Sequence, residues 1–258
     1  YCPPHSGQIQ RAPQHSGSEI KKRTLLMEAH FTVPRSALQE SSPVENVLKF
    51  PLLVKWGAHL FSFIFHPLFI PVIAAWFLAY IQPGYFTGIS PHDKFLIMIQ
   101  VGFNTIFYPA LTILLLKALG FIKSIFLKTQ RERIIPYIAS NIFYFWMFLV
   151  FHNQAEVPVI LTGFMFGVFL VSSAALIANI YFKISMHALG VGALCGLILI
   201  IIFSGFSYAN FLMAMLVFII TGLVCTSRMI VSDHKPFEIY SGLIISVLCQ
   251  LIAYSIFG

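Results

Sequence analysis

From about residue 49 onward the chain alternates long apolar runs with short polar joints. A bilayer is crossed by about 20 predominantly apolar residues. Seven runs meet or approach that length: Trp56 to Tyr80, Phe95 to Leu119, Pro136 to Phe151, Val157 to Phe182, Ala188 to Phe203, Ser207 to Thr226 and Ile239 to Phe257. The pattern predicts an all-α protein, a polytopic transmembrane helical bundle of seven spans over 49–258. Residues 1–48 are polar, rich in Ser, Pro, Gln and His, and without sustained apolar periodicity, so they read as a mobile tail. His66-Pro67 and Pro71 are expected to kink the first span, and Pro83-Gly84 marks the first joint as a turn. The joints at 153–156 and 204–206 are tight enough to make their flanking helices antiparallel neighbours.

Composition agrees with a membrane protein. Of 258 residues, 58% are hydrophobic and 10% charged; soluble domains carry about 25% charged residues. The net charge of +7 does not read as a nucleic-acid footprint, because the cations sit in the tail and in short joints rather than interleaved with exposed aromatics. Membrane lipids are the expected surroundings, and a bacterial inner (plasma) membrane the expected setting. Cys2, Cys195, Cys225 and Cys249 lack metal-type spacing.

Threading seven spans assigns each joint to a side. One side receives Lys123, Lys128, Arg131, Glu132 and Arg133, then Lys183, Ser185 and His187, then Ser227, Arg228, Asp233, His234, Lys235 and Glu238. The other receives only His92, Asp93, Lys94 and Glu156. Charge at membrane depth is costly and marks function by default. Two histidines, several cations and a carboxylate suit phosphoryl transfer, in which negative charge spreads over three oxygens and catalysis is positioning and electrostatic clamping. Arginine binds phosphate with a planar fork. Glu238 follows His234 by four residues, so on one helical turn they share a face and the carboxylate can fix the imidazole tautomer. His187 is a candidate proton donor to the leaving oxygen. Ser185 is a candidate N-cap at a helix start, where free N–H groups bind phosphate. Gly190 and Gly192 are small enough for close helix approach.

The stretch Ser227-Arg228, five residues, His234, Pro236, Glu238 and Gly242 resembles the third signature of the type 2 phosphatidic acid phosphatase superfamily: Ser-Arg, five residues, His, three residues, Asp. Ser185-Met186-His187 is similar to the second, Pro-Ser-Gly-His. The likeness covers about residues 123–245. It implies an integral membrane phosphatase acting on a lipid phosphate or lipid pyrophosphate, with no metal and no cofactor. His234 would be the nucleophile, passing through a phosphohistidine, Glu238 its orienting carboxylate and His187 the general acid. Arg228 and Ser185 would hold the phosphate; Arg133, Arg131 and Lys128 join them by location alone. Glu stands at 238 where the family has Asp, and Ile184 and Met186 replace Pro and Gly. The first signature, Lys, six residues, Arg-Pro, is not met, since Lys128 and Arg133 are too close and Ile135 precedes Pro136.

Three other readings stay open beside this one: a catalytically inactive relative that binds lipid or is structural, a lipid phosphotransferase, and an anion transporter. Facing is open too. Basic joints favour the cytoplasm, whereas the resemblance favours the outer face.

Overall fold

The computed structural model describes residues 51–122, 130–205, 207–231 and 234–257, with backbone alone at 130 and 131. The tail, Lys128 and the side chain of Arg131 lie outside the described residues. Every regular element among those described is helical. In chain order they are α1 (Leu52–Ile64), α2 (Ile70–Ile81), α3 (Pro91–Ala118), α4 (Gln130–His152), α5 (Val159–Tyr181), α6 (Met186–Ser204), α7 (Tyr208–Val231) and α8 (Pro236–Phe257). Six of them, α3 to α8, are long and apolar enough to cross a membrane.

The first span, expected to kink at His66-Pro67 and Pro71, is broken there into two helices. Trp56 to Tyr80 is divided between α1 and α2, with the break at Phe65–Phe69. Pro67 has no N–H to continue the ladder and disfavours helical backbone at His66. Accordingly His66 N–H turns to the Phe63 carbonyl, and Phe69 N–H to that of His66. Pro71 then occupies the opening turn of α2, where a missing N–H costs nothing. On α1, Leu53, Trp56, Leu60 and Phe63 stay exposed, while Ala58 and Ser62 are buried against the bundle.

Other boundaries move outward past polar residues. The third span begins at Gln130 rather than Pro136, so Pro136 lies inside α4 near its start. The sixth runs on to Val231 and takes Arg228 into its last turn. The seventh begins at Pro236, which makes Glu238 the third helical residue.

At the centre lies α6, with 67% of its most apolar window buried against 17% for α3. It packs on α8 and α7, and α5 packs on α4 and α8. Small residues set the α6–α8 approach. A Cβ on Gly192 would lie 2.8 Å from the Leu243 carbonyl oxygen, and one on Gly196 2.5 Å from Gln250 Cβ. This four-residue spacing of glycines lets membrane helices close on one another without a hydrophobic driving force. Ser246 Oγ donates to the Leu189 carbonyl across the same seam. The starts of α6 and α8, which carry His187 and Glu238, are thus held side by side.

Candidate functional site

The chain passes one end of the bundle repeatedly, and each passage delivers a polar side chain. Arg133 lies in the first turns of α4, His187 in the first turn of α6, Arg228 in the last turn of α7 and His234 just ahead of α8. All four line one cavity of about 350 Å3. Its wall continues along α4 through Pro136, Tyr137, Ser140 and Tyr144, which with Arg133 follow the i, i+3, i+4, i+7, i+11 pattern of one helix face. From Arg133 to Tyr144 is about 16 Å at 1.5 Å per residue, so the hollow runs from the charged end into the bundle.

His234 and Glu238 make the best-defined contact. Nδ1 of His234 lies 2.8 Å from Glu238 Oε2, and the two side chains are 4% and 13% exposed. The Lys235 N–H donates to the same oxygen at 3.2 Å. An oxygen serving two N–H groups is an acceptor, so the proton sits on His234 Nδ1 and Nε2 is left with its lone pair. Nε2 has no hydrogen-bond partner among the described residues. Glu238 also has a purely local use: with Pro236 at the first helical position, it sits third and reaches back to the N-cap N–H, which is half of a capping box. Burial lowers the pKa of His234 below its usual value. The Lys183 and Arg133 charges add to that fall, while the hydrogen bond and charge of Glu238 oppose it. The ring is therefore neutral near pH 7, the form a nucleophile needs.

His187 and Arg228 meet at the end of α1. His187 Nε2 is 3.0 Å from the Ser62 carbonyl, and Arg228 Nη1 donates to Ser62 Oγ at 3.4 Å. The Ser62 carbonyl is orphaned because His66 N–H turned to Phe63, and His187 satisfies it. A carbonyl only accepts, so His187 carries its proton on Nε2.

Arg133, 8% exposed, donates from Nη1 to the Ile184 carbonyl at 3.2 Å. One residue on, Ser185 N–H donates to the Glu238 carbonyl at 3.2 Å. The link 183–185 thereby ties α4 to α8. Ser185 holds the N-cap position of α6, but its hydroxyl makes no capping bond; it is fully buried, has no hydrogen-bond partner among the described residues and is not on the cavity wall. The structure thus brings together His234, His187, Arg228, Arg133 and, through His234, Glu238. It leaves Ser185 behind the wall.

Three contributors were not anticipated. Ser62 anchors two of the expected side chains, Tyr137 lines the wall, and His66 stands in the cavity with its ring centroid 5.4 Å from that of His187 at 85°. A histidine followed by proline inside an apolar run was the available signal for His66. Among the described residues, no three His, Cys, Asp or Glu side chains come together as a metal site. No protein-family model, curated protein or solved structure matches this chain.

Proposed function

We propose that this integral membrane protein is a phosphatase acting on a lipid phosphate or lipid pyrophosphate, of the kind found in the type 2 phosphatidic acid phosphatase superfamily. One observation carries the reading: His234, bonded through Nδ1 to Glu238 so that Nε2 keeps its lone pair, lines the same cavity as two arginines and a second histidine. In the first step His234 Nε2 attacks phosphorus and the bond to the leaving oxygen breaks. The imidazole now carries a phosphoryl group and a positive charge, which the Glu238 carboxylate stabilises. Arg228 and Arg133 offset the charge on the phosphoryl oxygens. The leaving oxygen takes a proton, for which His187 is the donor as the imidazolium formed when the anionic substrate brings a second proton onto the ring; its Nε2–H turns from Ser62 to the leaving oxygen and the ring is left neutral. Water then attacks phosphorus, the P–N bond breaks, inorganic phosphate leaves, and the water's proton returns to His187. Chemistry of this form needs no metal and no cofactor, and the cavity's place at one end of the bundle suits a headgroup phosphate.

A second reading draws on the hydrogen bonds themselves. His187, Arg228 and Arg133 each already hold a neighbouring segment in place. The same residues would serve an inactive, lipid-binding relative. Phosphate release separates the two. The purified protein is expected to liberate phosphate from a lipid phosphate in the presence of EDTA, and His234→Ala to abolish the release. A folded wild-type protein that is silent across a broad panel of lipid phosphates establishes the inactive reading instead.

A further inference from the structure

Of the three histidines on the cavity wall, His66 has no part in the mechanism above. It lies in the five-residue break between α1 and α2, half-buried, on a stretch that no phosphatase signature covers. Its position is set from three directions. Leu68 N–H points at Nδ1 from 3.4 Å. The His187 ring meets it edge to face at 5.4 Å, an arrangement that sets the positive edge of one ring on the negative face of the other. Phe69 packs on it at 6.0 Å and 61°.

The Leu68 contact matters chemically. A backbone N–H only donates, so His66 Nδ1 is the acceptor and the proton is on Nε2. That Nε2–H has no hydrogen-bond partner among the described residues. The Nε2–H of His187 differs, being given to Ser62. His66 Nε2 is not sealed from solvent and the ring lines the cavity, so a bound group can reach its proton. The cavity that it lines also holds Arg133 and Arg228. A neutral imidazole adds a donor beside two guanidiniums without bringing a third charge into repulsion with them.

We propose that His66 is a phosphate-contacting residue: its Nε2–H donates to an oxygen of the anion that Arg133 and Arg228 hold. The proposal rests on the cavity being the anion site of the preceding reading, yet it concerns binding, which can be measured without turnover. In that role His66 reads the phosphoryl group and leaves the proton of the leaving oxygen to another side chain.

The test uses the full-length protein in detergent and inorganic phosphate as the probe, titrated calorimetrically against wild type, His66→Ala, His66→Gln and His59→Ala. The Gln amide places an N–H where Nε2 stood. His59 is an exposed histidine on the same short helix. Expected is a Kd raised about tenfold or more in His66→Ala, as loss of one hydrogen bond to a charged group implies. His66→Gln should stay within about threefold of wild type, and His59→Ala should be unchanged. Unchanged phosphate binding in His66→Ala overturns the proposal, and so does an equal loss in Ala and Gln variants, which marks a structural role. Absence of phosphate binding by the wild type overturns it as well. Lipid-phosphate hydrolysis by wild type and His234→Ala is measured in parallel. Phosphate binding that depends on His66 in a protein without turnover keeps this proposal and rejects the phosphatase.

Discussion

Glu238 is the residue whose removal separates catalysis from packing most cleanly, because both of its hydrogen bonds go to one oxygen. His234 Nδ1 lies 2.8 Å from Oε2 and the Lys235 N–H 3.2 Å from it. In Glu238→Gln the amide oxygen can take the place of Oε2, so both bonds survive and only the charge is lost. A hydrogen bond to a charged group contributes about 1.5–3 kcal/mol and a neutral one about 0.5–1.5 kcal/mol. The difference, about 1–1.5 kcal/mol, lowers kcat/KM roughly five- to tenfold. Glu238→Ala removes the whole interaction and should lower it roughly 10- to 150-fold. It also releases the N-cap of α8, for about 1 kcal/mol of stability. The pH profile gives a second readout. With His234 as the proposed nucleophile, hydrolysis requires its neutral form, so the rate should rise with pH through its pKa, which burial places below the usual value near 6.5. Glu238 opposes that fall, so in Glu238→Gln the acid limb should move to still lower pH while the plateau drops. By linkage, the stability held by the neutral, buried ring is complete above about pH 6.5 and is lost as pH falls through the folded pKa. Initial rates on a water-soluble short-chain lipid phosphate from pH 4 to 8, with thermal melts in detergent, measure all of this. Wild-type kcat/KM in both variants, or an acid limb displaced upward in Glu238→Gln, refutes the assignment of His234 and Glu238 as a working pair.

Arg133→Gln should shift the same limb the other way, to higher pH, because the Arg133 charge is among the causes that lower His234; the rate profile checks the sign. Arg133→Lys keeps the charge but loses the fork that reaches the Ile184 carbonyl, and a KM raised about tenfold is expected in steady-state kinetics. Gly192→Ala puts a methyl 2.8 Å from the Leu243 carbonyl oxygen and should cost about 1–3 kcal/mol in thermal or denaturant unfolding. Gly163→Ala, where the nearest atom is 3.8 Å away, should be close to neutral in the same assay.

How much of this was legible in the sequence differs between the helices and their ends. Apolar run length revealed α3 to α8, since nothing else keeps backbone polar groups satisfied in lipid. Run length also set their ends at the first charged residue, and there it failed. Arg133 lies inside α4, Arg228 inside α7 and Glu238 inside α8. A helix does not stop at a charge whose side chain finds a partner at the end of the bundle: Arg133 and Arg228 turn into the cavity, and Glu238 takes His234 and the Lys235 N–H. The grouping of His187, Arg228, His234 and Arg133 was legible from threading alone. The pairing of His234 with Glu238 was expected from a spacing of four on one helical turn; the contact forms, but with His234 ahead of α8 and Glu238 reaching back from its third residue. Ser185 was not legible: its N-cap position was expected, but whether a hydroxyl faces a cavity or the packed seam behind it depends on how α4, α6 and α8 meet.

Threading survives the error made over the first span, and the reason is geometric. Although α1 and α2 are separate, α2, about 18 Å long, together with the break before it and Gln82 after it, still carries the chain along the bundle. Its near end adjoins His66, in the cavity with Arg228. At its far end, the Gln82 side chain donates to Asn210 at 2.7 Å. Asn210 and Arg228 belong to the same helix, α7, at about 1.5 Å per residue and so about 27 Å apart. The parity of the joints is therefore kept, and Asp93 and Glu156 line a different hollow from the arginines and histidines. Parity depends only on how many times the chain crosses, so it tolerates mistakes in where each crossing begins. It cannot register a break within a crossing. Pro67 and Pro71 do signal it, as the kink expected there; that the kink separates two helices, leaves the Ser62 carbonyl for His187 and sets a third histidine on the cavity wall came from the structure.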